Sequence, residues 1–296
     1  MLAPTAANLA SISALLFTLS SAQKCTLQFD GRIPSTFTPA SFDAANAFFS
    51  QSNVFGQGLA FSQLIQLPAA AAVAPSLFDV AASSAPFEVT ISDDSVFAPS
   101  ADNVQTGFRR AELLPASNTG TDPSTTGVKT LHFSVMKDAA RPLNLSHEYQ
   151  LVFLESNDFS TNQLVLKTGT VIGGGAGGDP DTLQLFGNVN EDPPKVLFST
   201  PFLEGVFHNF AVTLDFDKLT SQVFFSAGNA ALKAVTQAIA NDVSGQGQFH
   251  FGVLKKGIGG QNIVKDGAQE AGIDEGIIFG GIFEEDSSDG CVSLSP

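Results

Sequence analysis

From Leu27 onward, apolar and polar residues alternate over short stretches broken by Gly, Pro, Asn and Asp. A period of two puts successive side chains on opposite faces of an extended chain, so the pattern predicts strands half-buried against a core. Ten segments carry it most clearly: Phe87–Ile91, Gly107–Leu114, Lys129–Met136, Glu148–Glu155, Asn162–Thr168, Thr182–Phe186, Val206–Phe216, Ser221–Ser226, Gln248–Lys255 and Gly276–Phe283. Many short strands with little helical periodicity predict an all-β domain, a β-jelly roll of two stacked antiparallel sheets with a concave substrate cleft. Ser41–Gln51 and Ala230–Asn241 are the best helix candidates, and Ala69–Ala74, set between Pro68 and Pro75, reads as loop.

The same parity sorts the side chains that carry chemistry. In Gln105–Pro115, Phe108, Arg110 and Glu112 share one face while Ala111 and Leu113 share the other. An Arg-x-Glu strand is read either as a cross-strand ion pair or as part of a sugar-cleaving groove. In Glu148–Glu155, strict alternation groups Glu155 with Tyr149, Leu151 and Phe153, and Glu148 with Gln150. His208 has the parity of Phe210, Val212 and Leu214, which predicts a buried, hydrogen-bonded structural histidine. His250 opposes Phe249, Phe251 and Val253, so it points with Gln248, Leu254 and Lys256 to a groove or to solvent. His132 opposes Leu131, Phe133 and Val135 and has only Ser134 as polar company; His147, at the start of a strand, is expected to be exposed.

The ends of the chain change the picture. Met1–Ala22 has an apolar run from Leu9 to Leu19 followed by Ser20-Ser21-Ala22, the form of a secretory signal peptide too short to span a bilayer. Residues 23–296 are then one secreted domain, and Cys25 and Cys291 are expected to form a disulfide that ties its ends together. Closing so long a loop contributes about 4–5 kcal/mol by chain entropy. With 14 basic and 29 acidic residues the net charge is -15, which repels nucleic acid, anionic membranes and polyanions and favours a neutral partner. Asn144-Leu-Ser146 is a glycosylation sequon. The glycine cluster Gly173–Gly178 lacks the Gly-Lys-Ser/Thr ending of a phosphate loop and reads as surface loop. The acidic groups Glu270, Asp274, Glu275 and Glu284-Glu285-Asp286 read as solvated turns without a calcium-loop pattern. Neither a metal nor a cofactor is expected, and the chain is read as a monomer.

Glycosidic hydrolysis takes two carboxyl groups flanking the bond. Glu112 is the first candidate. Glu155 is the second, because an aromatic beside an acid suits a sugar-binding surface, and Glu148 is held in reserve. The segments Lys24–Arg32, Asp102–Ser117, Ser146–Glu155, Glu204–Phe210 and Gly272–Gly276 together resemble glycoside hydrolase family 131, secreted fungal β-glucanases with a β-jelly-roll fold. The resemblance implies exo-type cleavage of β-1,3 and β-1,6 linkages and endo-type cleavage of β-1,4 linkages in neutral β-glucans. It matches Glu112 and Glu155 to the family's catalytic carboxylates and His250 to a nearby cleft residue. Arg110, Phe153, Gln163 and Lys256 complete the expected substrate-binding set. One departure is the absence of tryptophan: Phe153 and Phe207 stand where the family tends to carry it, and Tyr149 is the single tyrosine. Two other readings remain open. Arg110-Ala-Glu112 and Gln248-Phe-His-Phe-Gly252 are similar to strands of jelly-roll alginate lyases, although Gln248 stands where a lyase carries its tyrosine. The same scaffold without turnover would be a glucan-binding protein.

Overall fold

The computed structural model describes residues 25–52, 54–68, 72–173 and 178–296. The expected signal peptide, most of the glycine cluster and the first half of the Ala69–Ala74 loop lie outside these residues. The disulfide forms: Cys25 is bonded to Cys291.

The strands follow the alternating segments closely. β1 (Leu27–Asp30), β2 (Val54–Phe55), β3 (Ile65–Gln66), β4 (Phe87–Ser92) and β5 (Phe108–Leu113) come first. They are followed by β6 (Val128–Lys137), β7 (Glu148–Glu155), β8 (Asn162–Gly169), β9 (Thr182–Phe186) and β10 (Val196–Pro201). The chain ends with β11 (His208–Asp215), β12 (Thr220–Ala227), β13 (Lys233–Ala234), β14 (Ile239–Ala240), β15 (Gln248–Lys256) and β16 (Asp274–Asp286). A nine-stranded antiparallel sheet runs β13-β12-β11-β6-β16-β4-β3, with β1 paired to β16 and β14 to β12. A seven-stranded sheet runs β10-β9-β8-β7-β15-β5-β2. This is the two-sheet β-jelly roll that the alternation predicts.

The core lies between the sheets and is filled by every second residue of their strands. Phe210, Val212 and Leu214 of β11, Phe249, Phe251 and Val253 of β15, and Ala111 and Leu113 of β5 belong to one continuous buried cluster. Each such large side chain contributes about 1.5–3 kcal/mol on leaving water. The two expected helices do not form. In Ser41–Gln51 only a 3-10 turn, Pro39–Phe42, is present. Beyond it the Asn46 side chain accepts the backbone N–H groups of Phe48 and Phe49 at 2.9 and 2.8 Å, a local turn that competes with helix. Ala230–Asn241 instead supplies β13 and β14, which pair with β12. An open sheet edge overrides the helical preference of alanine.

The outer faces of the sheets differ. That of the nine-stranded sheet is covered by Leu77 and Phe78, which pack on Ala211, Leu232 and Phe283. That of the seven-stranded sheet carries the charged candidates. It does so because β7 breaks its own alternation: the pairing register shifts between Gln150 and Val152. Leu151 and Val152 both enter the core, so the face changes within the strand. Tyr149 is thereby inside, Phe153 and Glu155 are outside, and Glu148 and Gln150 are outside as well. The expected grouping of Glu155 with Tyr149 and Leu151 is corrected by this one-residue bulge, and both candidate glutamates of β7 lie on one face.

Candidate active site

Three neighbouring strands assemble the site. β15 is flanked by β7 and β5, with His250 opposite Phe153 on one side and Gly252 opposite Glu112 on the other. A Cβ at Gly252 would meet the Ala111 carbonyl oxygen at 2.1 Å, so only glycine lets β5 approach β15 here. Glu112 then reaches His250: its Oε2 lies 2.8 Å from Nδ1, and Nε2 on the other edge of the ring lies 3.5 Å from Oε2 of Glu155. One imidazole thus links two carboxylates from two strands. Phe153 stacks under the ring at 4.4 Å and 13°.

The electrostatics separate the two carboxylates. Glu112 has a fully buried side chain and receives Arg110 in a two-pronged pair, Nε to Oε1 at 2.7 Å and Nη2 to Oε2 at 2.6 Å. Burial pushes the Glu112 carboxyl up, but the Arg110 charge and the His250 hydrogen bond outweigh it and hold the group below the usual range. An ionised carboxylate only accepts, so the hydrogen of His250 sits on Nδ1 and donates to Glu112, leaving Nε2 turned to Glu155. The Glu155 side chain is 27% exposed, against 4% for His250 and 0% for Glu112. Glu155 is the open end of the chain of groups.

The other candidates fall into place around this core. Arg110 is committed to Glu112, with Phe97 against its guanidinium at 5.3 Å, so it fixes the carboxylate and is only 10% exposed itself. Phe153 is buried beneath His250 and next to Val165 and Phe186, which rules out its expected role as an open sugar platform. Gln163 is also buried: its amide donates to the Gln246 carbonyl at 2.5 Å and accepts from Gly245 at 2.7 Å, pinning the turn before β15. Gln248, the lyase-like position, donates to the Asn118 carbonyl. At the far end of β7, Glu148 is ion-paired with Lys256 at 2.7 Å and Lys167 at 3.3 Å and accepts the Ile172 N–H. Burial raises its carboxyl, and the two lysines more than offset this and keep it below the usual range. Lys167 was not among the expected residues, although it shares the outer parity of β8. A cavity of about 360 Å³ opens beside Glu148, between His147, Ile172 and the loop Gly257–Gln261.

The remaining histidines are structural. His208 is buried between the carbonyls of Val206 and Pro201, in line with its core parity. His147 is buried rather than exposed, held by the Lys256 carbonyl and by Glu270 at 2.8 Å. His132 has more polar company than Ser134, because β16 brings Glu285 to 2.9 Å. The acidic residues near the C-terminus are likewise not all solvated. Lys255 is paired with Glu270 and Glu275, and Glu284 is fully buried. Among the described residues, no group of three or more His, Cys, Asp or Glu side chains is placed to hold a metal. No helix among them is long and apolar enough to cross a membrane. Asn144 is exposed and donates to Glu270.

Comparison with known proteins fits this arrangement. In the comparison with curated proteins no relative matches. Among solved structures, a GH131 β-glucanase catalytic domain from Podospora anserina is similar at 20% identity and a TM-score of 0.68, covering 91% of this chain and 98% of its own. The catalytic domain of a glycoside hydrolase family 131 protein from Coprinopsis cinerea is similar at 22% identity and a TM-score of 0.65, covering 92% and 98%. At these identities the likeness is one of fold. Residues 27–290 match the glycoside hydrolase 131 catalytic N-terminal domain. The chain therefore belongs to glycoside hydrolase family 131 and is a glycoside hydrolase by that membership.

Proposed function

We propose that this protein is a secreted β-glucanase in which Glu155 and Glu112 work through His250. The observation that carries the reading is the Glu112–His250–Glu155 chain across β5, β15 and β7, open to solvent only at Glu155. The Podospora anserina domain is described as a β-glucanase, and a neutral glucan suits a chain of net charge -15. The Met1–Ala22 leader and the Cys25–Cys291 bond support an extracellular setting, where Asn144 is available for glycosylation. The linkages in view are β-1,3 and β-1,6 cleaved from chain ends and β-1,4 cleaved internally.

Substrate entering the site replaces the 3.5 Å contact between His250 and Glu155. Glu155 protonates the leaving glycosidic oxygen as the C–O bond breaks. Water bonds to the anomeric carbon from the opposite side, and its proton passes to Nε2 of His250, whose imidazolium is stabilised by ionised Glu112. Glu112 stays buried behind the ring, so the groups that meet the substrate are Glu155 and Nε2 of His250, and water attacking from the side opposite the leaving group makes this a single displacement. Inversion of the anomeric carbon is the expected outcome, read by NMR of freshly released sugar. The reading as a whole is tested on laminarin, a β-1,6-glucan, a soluble cellulose derivative and alginate. New reducing ends without an unsaturated product are expected from the glucans. An unsaturated product from alginate would make the protein a lyase, and retention on glucan without product would make it a binding protein.

A further inference from the structure

Among the described residues, one aromatic side chain is left largely exposed: Phe159, at 74%. The chain holds 27 phenylalanines, one tyrosine and no tryptophan, and the described ones are otherwise buried or half-buried. Phe159 sits at the tip of the β7–β8 hairpin, four residues beyond Glu155. Its backbone is in the left-handed region, φ 60°, where a bulky side chain is unfavourable and glycine or asparagine sits freely. The position therefore carries two penalties at once, a strained backbone and an uncovered apolar ring. Strain of this kind is found where the surrounding structure enforces it, and it clusters at ligand-binding sites.

The surroundings do enforce it. The Phe159 N–H donates to the Ser156 carbonyl at 2.8 Å, and the hydroxyls of Ser156 and Ser160 both donate to Asp158 at 2.7 Å. Asn157 N–H donates to the Gly245 carbonyl at 3.1 Å, which ties the tip to the turn before β15. On the other side Thr161 donates to Asn188 at 2.7 Å and Asn190 to the Ser160 carbonyl at 3.3 Å. The ring is held at the tip of a clasped hairpin whose first strand ends at the open carboxylate, Glu155. Phe153 cannot supply a stacking surface, because it is buried under His250.

We infer that Phe159 is the aromatic platform on which a glucosyl unit next to the cleaved bond stacks. The C–H face of a β-linked glucose is apolar and packs on a phenyl ring, so an exposed aromatic provides affinity that the buried ones do not. The inference rests on the β-glucan reading above. Its test compares wild type, Phe159→Gly and Phe159→Trp on β-1,3-glucan oligosaccharides of increasing length, with kcat, KM and melting temperature measured together.

Phe159→Gly is expected to raise KM for the longer oligosaccharides about three- to tenfold, leaving kcat within about twofold, since stacking stabilises ground and transition states alike. Its melting temperature is expected at or above that of wild type, because glycine relieves the left-handed backbone. Phe159→Trp is expected to restore or lower KM. An unchanged KM in Phe159→Gly overturns the inference, whether the melting temperature rises or falls. Wild type that neither hydrolyses nor binds these glucans removes the β-glucan reading and the platform with it. Active wild type with an insensitive Phe159→Gly removes the platform alone.

Discussion

Among the described residues, a glutamate–histidine pair stacked face to face on a phenylalanine occurs twice, and the proposed chemistry falls to one copy. On the seven-stranded sheet, Glu112 lies 2.8 Å from His250, which stacks on Phe153 at 4.4 Å and 13°. On the nine-stranded sheet, Glu285 lies 2.9 Å from His132, which stacks on Phe283 at 4.2 Å and 4°. Each has an arginine close by, Arg110 on Glu112 and Arg32 over the Phe283 ring at 4.4 Å. The second edge of the imidazole makes the difference. His250 turns it toward Glu155, which is open to solvent. His132 turns Nδ1 into a buried space where it has no hydrogen-bond partner, with Phe78 edge-on at 5.0 Å. A carboxylate–histidine pair is thus a building block of either sheet. In the proposed function, a third, accessible group makes it a site.

Removing that third group should have the largest effect. Glu155→Gln keeps the shape of the side chain and removes its titrating proton, so kcat on β-glucan is expected to fall at least about a hundredfold, within the usual range of acid–base contributions. Being partly exposed and at a strand end, it should leave the melting temperature near that of wild type. Full activity in Glu155→Gln would move the chemistry elsewhere on the face, with Glu148 the next residue to change. Glu112→Gln should cost a similar factor in kcat, through loss of the anion behind His250, and should also destabilise. It leaves the largely buried Arg110 without a counter-charge, which costs about 3 kcal/mol when a buried pair is broken. An active and fully stable Glu112→Gln would return Arg110-Ala-Glu112 to a plain ion pair.

How far the sequence reached follows from what alternation can and cannot encode. The strands were legible because a two-sheet fold needs one apolar face per strand, and Glu148–Glu155 and Thr182–Phe186 match their observed limits. Alternation also turned His250 and Glu112 away from the core and His208 into it. It failed within β7, because a bulge adds a residue without a distinctive side chain, and it then misplaced Tyr149 and Leu151 relative to Glu155. The helix expectations failed where long-range pairing to β12 outweighed local propensity. The partners of His132 and His147 were invisible for another reason: Glu285 and Glu270 are more than a hundred residues away along the chain. Phe159 carried a faint signal, an aromatic in a turn of Ser, Asn and Asp, but only the backbone angle and exposure give it meaning.

The sealed pair should respond in the opposite way to the open one. Glu285→Gln is expected to leave kcat and KM unchanged while lowering stability by about 1–3 kcal/mol, the penalty for weakening a buried hydrogen bond to a charged group. Burial pushes the Glu285 carboxyl up, and the His132 hydrogen bond outweighs it and holds it below the usual range. Changed kinetics in this variant, measured per folded molecule, would mean that the two sheets communicate and that the comparison is too simple.

The smallest effect is a slope rather than a level. Burial holds His132 below its ordinary value, with Glu285 only partly offsetting it, so the folded ring stays neutral where the unfolded one already takes a proton. As pH falls below about 6.5, the ordinary value, the unfolded state therefore binds more protons than the folded state, and stability declines until the folded pKa is reached. One such group contributes at most about 1.4 kcal/mol per pH unit. Glu285, held low, remains ionised as this window opens and adds its own acid lability only further down. His132→Gln lacks the titration, so its stability should be flatter with pH just below about 6.5, even if losing the stack on Phe283 lowers it throughout. Denaturant midpoints of wild type and variant across that window give the two slopes. Parallel lines would show that the buried ring does not carry this part of the acid sensitivity.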